Sequence, residues 1–308
     1  GDFRNCDMVL KAAGVPLDSP YIKEARKNKI PVEMSSSLFA KLASIPIIGV
    51  TGTRGKSTVA DLIHHILKSA GKKVFLGGNI LGVSTLAFLS KTKQHDYAVL
   101  ELDSWQLQGF GDFKLSPHIS VFTTFLPDHM IYYKNNMKKY FADKANIFKY
   151  QKKEDVLIAG RQVYPVIKKY KGKIKSKIII PKGKLPKGWK FPLPGKHNEY
   201  NAALAVGVAR SLWIPDVVIK KVLATFSPVP GRLELIRTVS GVRVYNDTNS
   251  TTPDATIAAL RALGINSGHP NLGHPMSKIN KRRIILIMGG ADKGLDMKKL
   301  IKEIPRYC

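Results

Sequence analysis

Residues 47–58, Ile-Ile-Gly-Val-Thr-Gly-Thr-Arg-Gly-Lys-Ser-Thr, constrain this chain more than any other stretch. A β-branched apolar run stops at a Thr/Gly-rich turn, and Gly55-Lys56-Ser57 opens a helical pattern over 58–70. A nucleoside triphosphate needs this arrangement. Glycines let backbone N–H groups approach the phosphates, the helix N-terminus adds partial positive charge, and the lysine reaches the terminal phosphates. Ser57 would give its hydroxyl to Mg²⁺. The general pattern G-x-x-x-x-G-K-[ST] wants glycine where Val50 stands, but the tighter string Thr51-Gly52-Thr53-x-Gly55-Lys56-Ser57, followed by Thr58, is complete. A plain strand–turn–helix with a chance Gly-Lys-Ser explains the segment less well, because the motif lies between a strand pattern and a helix pattern as the chemistry requires.

The rest of the chain suits an α/β protein. With 308 residues and 44% apolar content it can bury a sizeable core over two or more domains. Strand patterns at 47–50, 73–76, 97–102, 119–123, 156–159 and 178–180 alternate with helical patterns at 59–70, 137–150, 198–211 and 215–225. A mostly parallel sheet with helices on both faces follows. Ahead of it, residues 1–45 read as a small α/β unit, with a strand at 7–12, a helix from Ser19-Pro20 to about residue 28 and another at 37–42. A linker at 227–231 leads to a hairpin (233–238 and 242–245), a helix at 253–263, a Gly/Pro/Asn/Lys-rich stretch at 266–282 expected to be a mobile loop, and a strand at 283–288. Domains are therefore expected at 1–45, 46–228 and 229–308.

Two cysteines near opposite ends imply no disulfide framework, and no apolar run reaches the length of a membrane span, so a cytoplasmic protein with no membrane partner is expected. The formal charge of +28 includes ten lysines between Lys168 and Lys190. Nucleic-acid binding is one reading of that charge. A lysine-coated solvated surface is the better one, because lysines are spread along the whole chain and no nucleic-acid module is recognisable.

Glu101 closes the apolar strand pattern at 97–102. Carboxyl ends of parallel strands are where open α/β sheets bind ligands, and a carboxylate there suits Mg²⁺. A solvated glutamate at a strand end is the plain alternative.

Further islands share an order with the phosphate loop: Gly78-Asn79-Ile80, Glu101-Leu102-Asp103-Ser104-Trp105-Gln106-Leu107, Asp128-His129, Asp143-Lys144-Ala145, His197-Asn198 with Asn201, Pro230-Gly231-Arg232-Leu233-Glu234, Asn246-Asp247, and Gly289-Gly290-Ala291-Asp292-Lys293-Gly294. This series resembles the Mur ligases, the ATP-dependent amide-forming enzymes of peptidoglycan precursor synthesis, and most of all their D-glutamate-adding branch.

The resemblance runs from about residue 7 to about residue 300 and implies a central P-loop ATPase domain, a partial nucleotide-sugar domain before it and a partial Rossmann-like amino-acid domain after it. Both termini look cut against the family. The cofactors implied are ATP and Mg²⁺, the substrates UDP-N-acetylmuramoyl-L-alanine and D-glutamate, and the protein a monomer.

Carried over position by position, Lys56, His129, Lys144 and Lys293 are catalytic. Thr51, Gly52, Thr53, Gly55, Lys56, Ser57, Thr58, Asn198, Asn201, Arg232 and Asp247 bind ATP. Asn79, Thr251 and Lys293 bind substrate, and Ser57, Glu101, His129 and Lys144 serve the metal. The resemblance also makes Lys144 a carbamate in place of a free amine. Four positions depart from the family pattern: Asp103 replaces a usual serine, Thr124 an asparagine, Ile131 an aspartate and Asn249 a lysine. Two rivals stand beside the ligase reading, a folylpolyglutamate synthase-like ligase and an ATP-binding remnant without turnover.

Overall fold

The computed structural model describes residues 6–80, 82–264, 284–290 and 295–308. The first unit holds β1 (Val9–Leu10), α1 (Pro20–Lys27), β2 (Val32–Glu33) and α2 (Ser35–Leu42), with β1 and β2 paired in parallel. Pro20 occupies the first helical turn, where its missing N–H costs nothing, but the Ser19 side chain makes no cap bond. The strand expected over 7–12 shrinks to β1 because its ladder partner β2 is itself two residues long.

The central unit runs β3 (Ile47–Thr51), α3 (Lys56–Ser69), β4 (Val74–Gly78), β5 (Tyr97–Glu101), α4 (Ser104–Asp112), β6 (Ile119–Phe122), α5 (Met137–Ala145), β7 (Val156–Ala159), α6 (Tyr164–Lys168), β8 (Lys177–Ile179), α7 (Lys196–Ser211) and α8 (Asp216–Thr225). The six strands form one parallel sheet in the order β4-β5-β3-β6-β7-β8. Alternate residues feed two cores. Ile48, Val50, Val99, Val121 and Ile158 pack with the apolar residues of α3, α7 and α8. Ile47, Ala98, Leu100, Phe122, Leu157 and Ala159 pack with Phe39 of α2, Leu107 and Phe110 of α4, and Tyr140 of α5. Covering a parallel sheet on both faces is why its strands read as unbroken apolar runs.

Two central elements differ from expectation. The helix expected over 137–150 stops at Ala145, where the Asn146 side chain turns aside to donate to the Leu107 carbonyl at 3.0 Å. α4 has two glycines and no clear apolar period, yet it forms because Asp103 and Gln106 close a reciprocal capping box at its start. Gly109 then lets α4 lie against α2, since a Cβ there would strike the Ser37 hydroxyl.

The last unit has the antiparallel hairpin β9 (Glu234–Val239) and β10 (Val242–Asn246), then α9 (Pro253–Leu263) and α10 (Lys298–Glu303). Residues 284–288 keep a strand-like alternation, with Ile284 and Leu286 packed toward Ile257, Leu260 and Leu300 while Ile285 and Ile287 face solvent. No strand among the described residues pairs with them, so no ladder forms. Arg283 and the loop expected at 266–282 lie outside the described residues.

Candidate functional site

The sheet order places a switch point at β3. The chain leaves β3 for β4, returns to β5 on one side of β3, and then crosses to β6 on the other. Ligands in open α/β folds bind in the crevice this leaves beyond the strand ends. The loop after β3 is knitted to both neighbours there. Thr51 Oγ1 donates to the Leu102 carbonyl at 2.7 Å, and the Thr123 amide donates to the Thr51 carbonyl at 2.9 Å. The Thr53 amide donates to the Thr124 carbonyl at 2.8 Å and the Arg54 amide to Thr124 Oγ1 at 2.9 Å. Thr124, one of the departures from the family pattern, therefore holds the loop in shape.

Gly52 and Gly55 are required by conformation and by space. Their φ angles are 144° and 88°, and a Cβ would run into Thr123 Oγ1 at the first and Asn201 Oδ1 at the second. Gly55 begins α3 without any side-chain cap, so no capping side chain competes for the first-turn N–H groups, the arrangement an anion uses.

Two lysines converge on this loop. Lys56 Nζ folds back to the Gly52 carbonyl at 3.1 Å, and Lys144 Nζ, reaching from α5, meets the same carbonyl at 3.1 Å and Thr51 Oγ1 at 3.3 Å. Lys144 is only 2% exposed, with its ammonium 5.1 Å from the Tyr140 ring centre. Burial, and then repulsion from Lys56, pull its pKa down to about 7. Lys56 is also lowered, chiefly by burial, with Glu101 opposing.

Glu101, 4% exposed at the end of β5, accepts a long hydrogen bond of 3.4 Å from Asn79 Nδ2. The Asn79 amide meanwhile donates to the Glu101 carbonyl at 2.8 Å, fixing the two side by side.

His129 adopts a left-handed φ of 55°, with its ring 4.4 Å from that of Trp105 and its Nε2 3.7 Å from Asp128. Burial keeps its pKa below the ordinary value, against the pull of Asp128. Asp103 serves as the cap of α4, accepting from the Gln106 amide at 2.7 Å. The serine it replaces could fill that role equally. Ile131, the third departure, is 79% exposed.

From α7, Asn201 lies under Gly55, and Asn198 Nδ2 donates to the Pro194 carbonyl at 2.8 Å. From the last unit, Arg232 Nη2 donates to Ser57 Oγ at 3.0 Å. Asp247 accepts from the Leu233 amide at 2.9 Å and from the Ser250 hydroxyl, so it shapes the turn that carries Arg232. Asn249 ties the linker through the Pro230 carbonyl at 3.0 Å. Thr251 is exposed, next to the Thr252 that Arg54 of the loop reaches. Lys293 lies outside the described residues.

The sequence reading passed over four residues here. Arg54, the variable position of the loop, reaches Asp128 at 3.6 Å and Thr252 Oγ1. Thr252 opens α9, and Thr123 Oγ1 donates to the Arg54 carbonyl. Tyr140 Oη sits 3.4 Å from Thr53 Oγ1. The one available signal was Tyr140 four residues before Lys144, the spacing that puts both on one helix face.

A glycine-shaped loop opening a helix at the switch point of a parallel sheet, with paired lysines and a buried strand-end carboxylate, defines a P-loop nucleotide-binding domain. Residues 50–180 match the Mur ligase middle domain. Over 95% of its length the chain is 33% identical to a UDP-N-acetylmuramoylalanine–D-glutamate ligase of Koribacter versatilis, and over 98% it is 34% identical to the protein of that name from Borreliella afzelii. It spans 65% and 66% of the lengths of those relatives. In fold it is similar to the MurF ligase of Thermotoga maritima in complex with ADP, at a TM-score of 0.59 and 15% identity, covering 85% of this chain and 75% of that one. A folylpolyglutamate synthase of Mycobacterium tuberculosis, complexed with ADP and AMPPCP, gives a TM-score of 0.56 at 17% identity, covering 74% of this chain and 68% of that one. Residues 50–180 thus carry the middle domain of the Mur ligases, and the chain as a whole is similar to their D-glutamate-adding members.

Proposed function

We propose that this protein is an ATP-dependent amide ligase that adds D-glutamate to UDP-N-acetylmuramoyl-L-alanine in peptidoglycan precursor synthesis, working in the cytoplasm, where activated nucleotide sugars are made. The carrying observation is the meeting of Lys56 and Lys144 on the Gly52 carbonyl beside Glu101. The curated relatives supply the choice of substrates.

An amide cannot form from a carboxylate near neutral pH without activation. A carboxylate oxygen of the acceptor attacks the γ-phosphorus of ATP, the bond to the ADP oxygen breaks, and an acyl phosphate results. The D-glutamate amine, having lost a proton, adds to the acyl carbon, and the C–O bond to phosphate breaks. Charge shifts onto the phosphoryl oxygens in the first step, so cations placed there are the main catalytic resource. Lys56 and the N–H groups opening α3 would hold the β- and γ-phosphates, with Arg232 reaching them from the last unit. Asn198, Asn201 and Asp247 line or support the nucleotide side. Asn79 faces the acceptor, and Thr251 and Lys293 are assigned to D-glutamate.

The donor set suits Mg²⁺. Ser57 offers a hydroxyl, Glu101 is a buried carboxylate with only one weak side-chain bond, and His129 is held neutral by burial. Lys144 would join as a carbamate, which turns a cation into an anionic ligand. When bound, the ion would neutralise charge on the transferring phosphoryl group.

The test is phosphate release from ATP. Release that needs both UDP-N-acetylmuramoyl-L-alanine and D-glutamate supports the reading. Release that needs a folate and L-glutamate would transfer the chain to the folylpolyglutamate-type activity, and release with neither pair would leave the remnant reading in place.

A further inference from the structure

Beyond the phosphate loop, α3 carries Asp61, His64 and His65 at i, i+3 and i+4, which puts all three on one side of the helix. Each offers one ligand atom, and these atoms lie within 4.8 Å of one another. His65 Nε2 and Asp61 Oδ1 are already 3.5 Å apart. Metal–ligand bonds of about 2.0–2.1 Å at tetrahedral angles separate neighbouring donors by roughly 3.3–3.5 Å, so one pair is in place and the third donor needs a small side-chain rotation.

His64 supplies the second, independent observation. Its Nδ1 is buried and has no hydrogen-bond partner. A buried ring nitrogen without a protein partner is a group that a bound ion would satisfy. An Asp61–His65 ion pair is the plain alternative. It explains two of the three side chains and leaves the buried Nδ1 without a partner.

We propose that Asp61, His64 and His65 form a binding site for a divalent transition metal of the zinc class, distinct from the magnesium assigned to the phosphate loop. One carboxylate and two imidazoles favour such an ion over Mg²⁺, which prefers an all-oxygen shell. His65 is half exposed, so an ion could reach the three donors from solvent. Phe226, following α8, covers the His65 ring edge-on at 5.8 Å, so the site lies where α3 meets the end of α8. Asp61 is five residues past Lys56, about 7.5 Å along the helix axis. A metal there would brace the helix that presents the phosphate-binding N–H groups. Lys68, one turn beyond His64, is the cation that opposes it, and its exposed stem lets the ammonium swing away.

The test uses the whole chain and Zn²⁺ in competition with a chromophoric chelator near neutral pH. The wild type takes up one equivalent, and His65→Ala and Asp61→Asn each weaken uptake at least about tenfold. Co²⁺ bound to the wild type gives the strong visible bands of a tetrahedral site, and His65→Ala loses them. Circular-dichroism melting without metal checks that each variant folds, and His65→Gln replaces any that does not. Mg-ATP stabilises the folded variants as it does the wild type, because none of the three residues belongs to the nucleotide site. Equal zinc affinity in wild type and variants, or no uptake by the wild type, overturns the site.

Discussion

Lys144 concentrates the chemical tension of the molecule. Its amine is nearly sealed from water, shares the Gly52 carbonyl with Lys56, and has a pKa of about 7 in place of 10.5. A lysine half-neutral near pH 7 is the nucleophile that carbon dioxide requires, so this amine suits the carbamate proposed for it. Lys144→Ala is expected to lose ligase activity, with short-chain carboxylic acids restoring part of it by standing in for the carbamate; unchanged activity in the variant would remove the claim. A separate expectation follows for stability in CO₂-free buffer. Between pH values of about 7 and 10.5 the unfolded chain holds a proton at this lysine that the folded chain does not. Stability therefore rises with pH through that window, and the gain is lost as pH falls back toward 7. Lys144→Met should flatten the slope by on the order of a few kcal/mol across the window, measured by chemical denaturation. Parallel wild-type and variant curves would show that burial does not hold the amine neutral.

At the scale of the element, α4 and the loop after β3 show what a sequence carries and what it hides. The loop was legible because its glycines, lysine and serine are fixed by phosphate chemistry in a contiguous string. α4 was not, because its stability comes from a cap and from contact with α2, and neither leaves an apolar period. Likewise 284–288 reads as a strand from alternation alone, although alternation says nothing of whether a partner lies alongside. Asp103, which departs from the family pattern, belongs to the capping box of α4. Asp103→Ala is thus expected to cost about 1 kcal/mol of stability, whereas Asp103→Ser should cost only a few tenths. Thermal or urea unfolding separates the two. Equal losses in both variants would mean that the carboxylate's charge, more than its capping bond, is what the site needs.

Across the whole molecule, the features hardest to read from sequence are those that join distant segments. Arg54 meets Thr252, and Arg232 meets Ser57 across 175 positions of chain, contacts that no local pattern announces. Arg232 matched a family motif for ATP binding, and that motif did not point to Ser57. The partner is the hydroxyl proposed for Mg²⁺, so nucleotide binding on that reading would call for an exchange. On the proposed reading the guanidinium would give up Ser57 and take phosphate oxygens, for which its planar fork is better suited. Arg232 Nε is buried without a hydrogen-bond partner in the present arrangement, so the residue has unused donor capacity. Arg232→Ala should weaken Mg-ATP binding by roughly tenfold to a hundredfold, the range of a charge-assisted hydrogen bond worth about 1.5–3 kcal/mol. The nucleotide-free variant should melt close to the wild type, because only one neutral-acceptor bond to a partly buried hydroxyl is lost. Titration calorimetry gives the first quantity and a melting curve the second. Wild-type affinity for Mg-ATP in Arg232→Ala would show that the last unit does not reach the nucleotide, and a large drop in nucleotide-free melting would make Arg232 a structural tie between units.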